Sequence, residues 1–299
     1  MSLYHLHNLN WHEPRLVRPV IDLPNTYRDK TTTMTSELKE CCVTGHIHSG
    51  HPQGSEMTMG SLSTYIAKPE NETSSGSAAI VIISDIFGYR LPNTRLVADE
   101  YAKNGFVTYI PDLLDNNAMD IIKHLKTVAP WPEQKADQTM LGKIGATASV
   151  GLDMAPWLYR HRSAVVLPKL QLFLKGVKAS HSKLYTLGYC WGSQYAFMSA
   201  DPNSELSEGV DAAAACHPSM VNADVIAKAT KPITVAAGEI DELFDWKKME
   251  AVIKKNGGEV VVYPKMVHGF SIRGDLKRPD VHQAKEDALK QVVNFFRAH

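Results

Sequence analysis

The chain has 299 residues and equal numbers of basic and acidic side chains, 32 of each, so its formal net charge is zero. This balance excludes the basic excess that is typical of nucleic-acid-binding proteins, and no polybasic patch indicates binding to a membrane surface. Hydrophobic residues make up 44% of the chain and charged residues 21%. These values are typical of a globular enzyme, and the length is enough for one large α/β domain or two small ones.

The cysteines and the N-terminal residues indicate the cellular compartment in which we expect the protein. Two of the four cysteines are adjacent, which is a poor start for a disulfide framework and fits a reducing, cytoplasmic location. No apolar run approaches the roughly eighteen residues of a membrane helix, and residues 1–30 lack the apolar core of a secretory signal. Acidic residues among their arginines disfavour a mitochondrial transit peptide, which stays the alternative. We expect residues 1–40 to form an extension and residues 41–299 the domain.

The first half of the domain begins a pattern of alternating strands and helices. After a predicted strand over 61–67, the continuous apolar run 78–84 is typical of a strand buried on both faces of a parallel sheet. A proline at the first turn opens a predicted helix over 92–104, and a strand over 106–110 follows. Residues 113–180 have a mostly helical pattern and are a candidate lid.

The second half of the domain continues the alternation. Strands are predicted over 184–188, 210–216, 233–237 and 259–263, and the chain closes with a helix over 279–298. This order predicts the α/β class, a doubly wound and mainly parallel sheet with helices on both faces. Because ligands bind such sheets beyond the carboxyl ends of the strands, residues just after strands are the functional candidates.

The strongest candidate is Cys190, in the segment Gly188-Tyr189-Cys190-Trp191-Gly192. The segment follows a predicted strand and opens a helix that extends to about residue 200. Small residues two before and two after a nucleophile permit the sharp strand-to-helix turn known as the nucleophile elbow. The pattern favours a nucleophilic thiol, and a buried structural cysteine is the alternative.

An acid and a histidine follow later strands. Asp241 lies just after the strand 233–237, where a carboxylate can hold an imidazole in the correct tautomer. Solvated acids nearby are the alternatives: Glu239, Glu242 and Asp245. His268 lies in the loop after the strand 259–263, and its alternative is a loop histidine without a role. The chain order nucleophile, acid, histidine is the one that α/β-hydrolases use.

The end of the strand 78–84 carries a supporting segment, Ser84-Asp85-Ile86-Phe87-Gly88. A backbone N–H group at such a strand end supplies half of an oxyanion hole, and the residue after the nucleophile, here Trp191, supplies the other half. Asp85 can also hydrogen-bond the thiol, and its alternative is a turn acid.

Together these residues resemble the dienelactone hydrolase family, also called carboxymethylenebutenolidases. Residues 41–52, with the sequence CCVTGHIHSGHP, are similar to the N-terminal segment of eukaryotic and especially fungal members. The other marks of the resemblance are Asp85-Ile86-Phe87-Gly88, Leu91-Pro92-Asn93-Thr94-Arg95, Pro111-Asp112-Leu113, the cysteine segment, Gly238-Glu239-Ile240-Asp241 and His268-Gly269-Phe270.

The resemblance implies an α/β-hydrolase fold and a triad of Cys190, His268 and Asp241. It also implies an oxyanion hole from the backbone of Ile86 and Trp191. The implied reaction is hydrolysis of a small-molecule lactone or carboxylic ester through a thioester, with no metal or organic cofactor. Two alternatives stay open: a thiol-dependent esterase, thioesterase or peptidase with an unrelated substrate, and a non-catalytic binding or redox-sensing relative.

Further residues are candidates for controlling the thiol or binding the substrate. In the family an acid at the position of Asp85 contacts the resting thiol, and bacterial members have glutamate where this chain has the shorter aspartate. Bacterial members also hold a substrate carboxylate with arginines, for which Arg90 and Arg273 are candidates. His217 follows the strand 210–216 and is either a pocket residue or a plain core or loop residue.

The N-terminal segment also contains the side-chain types that bind metals. Its cysteines and histidines match no common zinc spacing, so we interpret the segment as surface structure rather than a metal site. The residues concerned are Cys41, Cys42, His46, His48 and His51.

Overall fold

The computed structural model describes residues 46–70, 77–120 and 156–299. Its eight strands are β1 Ser55–Met59, β2 Leu62–Ala67, β3 Ala78–Ile83, β4 Val107–Pro111, β5 Lys183–Tyr189, β6 Ala212–Cys216, β7 Ile233–Gly238 and β8 Glu259–Tyr263. They form one sheet in the order β1-β2-β4-β3-β5-β6-β7-β8. The pairs β1–β2 and β2–β4 are antiparallel and the other pairs are parallel, which confirms the predicted, mainly parallel sheet.

Helices connect the parallel strands. They are α1 Pro92–Lys103, α2 Ser163–Lys178, α3 Ser193–Ser199, α4 Ala223–Lys228, α5 Trp246–Lys255, α6 Phe270–Arg273 and α7 Pro279–Ala298, with a 3-10 turn over Cys190–Gly192 between β5 and α3. Within the three described stretches, no helix has both the length and the apolar character needed to cross a membrane.

The central strand β3 shows why both faces of the sheet are covered. Because successive side chains of a strand point to opposite faces, Ile80 and Ile82 pack with α1 and α7 on one face. Val81 and Ile83 pack with α2 on the other face. Each of these side chains is fully buried, and burying one contributes about 1.5–3 kcal/mol. The continuous apolar run of β3 therefore reflects burial on both faces.

One prediction about local structure is wrong, and one strand is missing from the predicted pattern. The helical pattern over 113–180 is confirmed in α2 but is wrong for residues 113–120, which begin as a turn. The carboxylate of Asp112 accepts hydrogen bonds from the N–H groups of Leu114 and Asn116. Asp115 and Asn116 have positive φ angles of 49° and 58°, which a right-handed helix does not allow. The rest of the candidate lid before α2 falls mainly in 121–155, outside the described residues. Strand β1 was not predicted, because this partly exposed edge strand has no buried apolar run.

Close packing at two glycines fixes the connection from β5 into α3. A Cβ atom at Gly192 would overlap the carbonyl oxygen of Ile83 at the end of β3. A Cβ atom at Gly188 would overlap the backbone of Ser193, the first residue of α3. The turn between the two glycines can therefore press against the neighbouring strand only because both positions lack a side chain.

We expect Gly192→Ala to lower the free energy of unfolding by about 3 kcal/mol or more, because the backbone of Ile83 must shift to admit the methyl group. Gly257→Ala is the control. Gly257 has a φ of 81°, and no atom of the described residues lies within 4 Å of its Cβ position, so that change should cost only the left-handed backbone penalty of about 1 kcal/mol. Urea denaturation measures both values. Equal losses in the two variants would contradict the packing argument.

Candidate active site

Strand register brings the candidate residues to one edge of the sheet. Ile83 pairs with Gly188 across β3 and β5, so Asp85 and Cys190, each two residues further on, leave the sheet at the same level. Cys216 at the end of β6 pairs with Tyr189. The segments after β3, β5 and β6 therefore begin side by side at the carboxyl edge.

Cys190 occupies a strained and buried position. Its φ angle is +52°, in a region that costs a residue other than glycine about 1–3 kcal/mol. Its side chain belongs to the apolar cluster that includes Ile83 and Trp191, and the residue is only 2% exposed. Such strain persists where the surrounding structure fixes the backbone, here through the close packing of Gly188 and Gly192.

His268 contacts one of the four candidate acids. Its Nδ1 lies 2.9 Å from Oδ2 of Asp241, and both residues are buried. The other oxygen of Asp241, Oδ1, accepts a hydrogen bond from the N–H of Leu243 at 2.8 Å. The carboxylate is therefore held on both sides, and it fixes the orientation of the imidazole.

The alternative acids have other contacts. Oε2 of Glu239 accepts a hydrogen bond from the N–H of Lys265 at 2.8 Å. Asp245 accepts one from the N–H of Lys248 and so caps the start of α5. Glu242 is exposed. Of the four acids considered from the sequence, Asp241 is the one that the structure brings to the histidine.

A second buried ion pair joins Asp85 to Arg273. Nη1 of Arg273 lies 2.5 Å from Oδ2 of Asp85, and the two side chains are 1% and 0% exposed. Oδ1 of Asp85 accepts a hydrogen bond from the N–H of Phe87, and the guanidinium lies over the ring of Phe87. Asp85, expected from the sequence to contact the thiol, contacts these groups instead, because a buried guanidinium requires a counter-charge.

Opposing effects set the protonation of Cys190 and His268. Burial disfavours the thiolate, but His268 and Arg273 outweigh this effect and lower the pKa of Cys190 below its usual value. Burial also disfavours the imidazolium, but Cys190 and Asp241 outweigh it and raise the pKa of His268. Burial raises the pKa of Asp85, while Arg273 acts in the opposite direction. The electrostatics favour a thiolate–imidazolium pair.

The histidine after β6 lies against His268. His217 is fully buried, and its ring meets that of His268 edge-on, with 5.0 Å between the ring centroids. Nδ1 of His217 lies 2.9 Å from Oγ of Ser271. Burial, together with the nearby charges of His268 and Arg273, holds the pKa of His217 well below its usual value. It therefore stays neutral beside the imidazolium.

Sequence reasoning missed Ser219. Its Oγ lies 3.2 Å from Sγ of Cys190, and its N–H donates to the carbonyl oxygen of Cys190 at 3.1 Å. The signal is present in the sequence, because Ser219 lies three residues after β6 and residues just after strands are the functional candidates in such a sheet. From this loop the sequence analysis selects only His217.

The N-terminal segment fastens the backbone around Arg273. The N–H of His46 donates to the carbonyl oxygen of Arg273 at 2.9 Å. Nε2 of His48 lies 2.9 Å from the carbonyl oxygen of Gly274. The side chain of Asn93 bonds His46, His48 and Ile272. We call the three residues His46, His48 and Asn93 the clasp.

The clasp histidines have structural partners. Burial lowers the pKa of His48 to about 4, so this ring is neutral when it bonds Gly274. Among the residues described, no group of three or more histidine, cysteine, aspartate or glutamate side chains is arranged to hold a metal ion. Cys41 and Cys42 lie outside the described residues.

The remaining candidates separate into two groups. Ile86 and Trp191, whose N–H groups were considered for an oxyanion hole, follow the paired strands β3 and β5 and are buried. Arg90 is exposed and lies over the ring of Tyr89. Arg273 is buried, and its Nε and Nη2 have no hydrogen-bond partner among the described residues. The structure therefore favours Arg273 over Arg90 as a group that can receive a ligand.

Comparison with known proteins shows the family to which the chain belongs. The sequence model of the dienelactone hydrolase family matches residues 62–299. The chain belongs to the dienelactone hydrolase family. This confirms the resemblance inferred from the sequence motifs, and it makes the chain a hydrolase of the dienelactone hydrolase type.

Relatives of this dienelactone hydrolase family member are distant but match along most of their length. It is 25% identical over 268 residues to the hydrolase tropI of Talaromyces stipitatus, covering 87% of this chain and 96% of tropI. It is 27% identical over 270 residues to dienlactone hydrolase 1 of Gibberella moniliformis, covering 85% and 91%. Both relatives are fungal, in agreement with the resemblance of the N-terminal segment to fungal members.

A solved structure agrees on the fold. The structure of this chain superposes with a TM-score of 0.51 on that of a dienelactone hydrolase-like promiscuous phosphotriesterase from metagenomic libraries, and the two sequences are 16% identical. The match covers 82% of this chain and 97% of that one. The α/β-hydrolase-like fold predicted from the sequence is confirmed.

The contribution of the ion pair between Asp85 and Arg273 to the free energy of unfolding can be predicted. Asp85→Asn and Arg273→Met should each lower the free energy of unfolding by about 3–5 kcal/mol, because each leaves one buried charge unpaired. The double variant should lose clearly less than the sum of the two. Urea denaturation of the four proteins measures the coupling.

The exposed pair Glu250–Lys254, with 2.7 Å between its charged atoms, is the control for this measurement. Its coupling should be about 0.3–0.5 kcal/mol, since solvent screens exposed pairs on a helix. A coupling between Asp85 and Arg273 as small as that of the control pair would contradict the role given to the buried pair.

Proposed function

We propose that this family member hydrolyses a lactone or carboxylic ester of a small molecule, with Cys190 as nucleophile, His268 as proton carrier and Asp241 as the acid that orients the histidine. The supporting observation is the 2.9 Å contact between His268 Nδ1 and Asp241. It leaves Nε2 buried without a hydrogen-bond partner among the described residues. The imidazole and the Cys190 thiol are close enough to shift each other's pKa.

Acylation begins from the thiolate. The sulfur of Cys190 attacks the carbonyl carbon, and the electron pair of the C=O double bond moves to oxygen. The N–H groups of Ile86 and Trp191 stabilise this oxyanion, and losing one such donor typically costs about 10²–10³ in rate. The C–O bond of the lactone or ester then breaks, and the departing oxygen takes a proton from His268.

Deacylation returns the enzyme to its starting state. Neutral His268 accepts a proton from water, which attacks the thioester carbonyl carbon. The C–S bond breaks, its electron pair returns to the sulfur of Cys190, and the carboxylic acid product leaves. Asp241 stabilises the imidazolium in both half-reactions.

Arg273 contributes to substrate binding in this proposal. Its Nη1 is occupied by Asp85, whereas Nε and Nη2 are donors that find no partner in the described part of the chain. A carboxylate or carbonyl oxygen of the substrate satisfies such donors, and a carboxylate matches the planar donor geometry of a guanidinium best. The proposal therefore favours substrates with a carboxylate near the bond that is cleaved.

Cys190→Ala should abolish hydrolysis across a panel of lactones and esters, lowering kcat/KM by about 10⁴-fold or more, because the nucleophile is lost. Mass spectrometry of the wild-type enzyme, quenched early in turnover, should find the acyl group on the peptide that contains Cys190. Panel substrates with and without a carboxylate test the preference attributed to Arg273.

Cys216→Ala is the matched control for this experiment. Cys216 is also buried, and burial raises the pKa of its thiol to about 12, so it is an unreactive cysteine at the end of the neighbouring strand. The variant should retain hydrolysis and acylation. Turnover by Cys190→Ala at the wild-type rate, or an enzyme that cleaves no substrate of the panel, would count against the proposed function.

The pH dependence of the thiol tests the charges around it. Because the pKa of Cys190 is lowered, its alkylation by iodoacetamide should reach half of its maximum rate at a lower pH than the alkylation of an unperturbed cysteine in a short peptide. Asp241→Asn removes a negative charge that favours the imidazolium. The pKa of His268 then falls, that of Cys190 rises, and the alkylation profile moves to higher pH. An unmoved profile would show that Asp241 does not act through His268.

A further inference from the structure

We propose that Ser219 is a further catalytic residue, whose hydroxyl donates a hydrogen bond to the sulfur of Cys190 and stabilises the thiolate that departs when the thioester is hydrolysed. The inference rests on the proposed function, in which Cys190 is the nucleophile. It assigns a role to the segment after β6, which the triad and the oxyanion hole do not use.

Two contacts tie Ser219 to Cys190. Oγ lies 3.2 Å from Sγ, and the backbone N–H of Ser219 donates to the carbonyl oxygen of Cys190 at 3.1 Å. Ser219 is 2% exposed, so water does not compete freely for the hydroxyl. The backbone contact fixes the distance between the two residues, and the side-chain contact follows from it.

The backbone around Ser219 is held in an unfavourable conformation. His217 and Met220, on either side of it, have positive φ angles of 37° and 56°, and each costs a residue of this kind about 1–3 kcal/mol. The N–H of His217 is anchored to the carbonyl oxygen of Ala236 on β7 at 2.8 Å. Strain of this kind is concentrated at active sites, where it positions particular groups. Here it places the hydroxyl of Ser219 at the sulfur.

The direction of the hydrogen bond follows from the charge on the sulfur. A thiolate has no proton to donate, so the hydroxyl of Ser219 is the donor once Cys190 is ionised. Within the described part of the chain, Oγ of Ser219 has no other hydrogen-bond partner. A hydrogen bond to an ionised acceptor is about twice as strong as one between neutral groups, so the contact is stronger with the thiolate than with the thioester.

This difference gives Ser219 its effect on the reaction. In deacylation the C–S bond breaks and its electron pair moves to sulfur, and a sulfur of lower basicity leaves faster. In acylation the same hydrogen bond makes the thiolate a slightly weaker nucleophile. Ser219 therefore speeds the second half-reaction and keeps the thiol ionised between turnovers.

Ser219→Ala tests the inference in two measurements. Without substrate, the pH at which iodoacetamide alkylation of Cys190 reaches half of its maximum should rise by about 1–2 units. With substrate, single-turnover experiments should show deacylation slowed by about 3- to 10-fold, and more acyl-enzyme should accumulate during turnover. A defect of packing alone would not move the alkylation profile in this direction.

Ser199→Ala is the matched control, because Ser199 is a fully buried serine on α3 whose hydroxyl bonds Thr186 and Ala196 rather than the sulfur. It should leave both measurements unchanged. If Ser219→Ala does not fold, Ser219→Thr and Ser219→Val replace it. These variants differ in one hydroxyl at nearly equal volume, and the threonine variant should retain the lower thiol pKa.

The outcomes separate this inference from the proposed function. If the wild-type enzyme forms an acyl-enzyme on Cys190 while Ser219→Ala keeps the same alkylation profile and the same deacylation rate within about 2-fold, the role of Ser219 is overturned and the proposed function stands. If the wild-type enzyme forms no acyl-enzyme on Cys190 with any substrate of the panel, the proposed function fails and the role of Ser219 fails with it.

Discussion

The buried ion pair between Asp85 and Arg273 connects the end of the first parallel strand, β3, to the short helix α6 beyond the last strand, β8. Moving each charge out of water costs several kcal/mol, so the pair requires further support on both sides. The N–H of Phe87 bonds the carboxylate, and the clasp of His46, His48 and Asn93 fixes the backbone around the arginine. Because these supports come from separate parts of the chain, the cation at the site has one well-defined position.

Neighbouring charges, first His268 and then this cation, explain why the pKa values of the two described cysteines differ. Cys190 and Cys216 are both buried and end neighbouring strands. Burial raises the pKa of Cys216 to about 12 against the small opposing effect of Ser271, whereas His268 and Arg273 reverse the effect of burial at Cys190. Charge placement rather than exposure therefore distinguishes the thiol of lowered pKa from the thiol of raised pKa. Because both sites are buried, water screens the surrounding charges weakly.

The sequence predicts the structure correctly where a feature depends on residues that are close together in the chain. The run in β3 predicted a strand buried on both faces, and the glycines around Cys190 predicted a tight turn, because each pattern depends on residues close in the chain. The place after β7 indicates an acid without distinguishing Asp241 from Glu239 or Glu242. The resemblance to the family implies Asp241, which the structure places 2.9 Å from His268.

The contacts that the sequence did not reveal depend on tertiary structure. Asp85 reaches Arg273 and Ser219 reaches Cys190 across different loops, and no spacing along the chain encodes either distance. The turn after Asp112 replaced a predicted helix because side-chain acceptance of two backbone N–H groups outweighed a helical pattern. Strand β1 is not predicted from the sequence, because an edge strand with little burial has no periodic pattern of apolar residues.

The order of the site along the chain has a consequence for biosynthesis. Cys190 leaves the ribosome before Asp241, His268 and Arg273, which follow it in sequence. At roughly 5–20 residues per second, the nascent chain carries the cysteine for several seconds before the last of these groups exists. During that time the thiol has an ordinary pKa of about 8.5 and is mostly protonated at neutral pH. The lowered pKa of Cys190 thus arises only after the surrounding structure has formed, so the chain carries an ordinary thiol while it is being made.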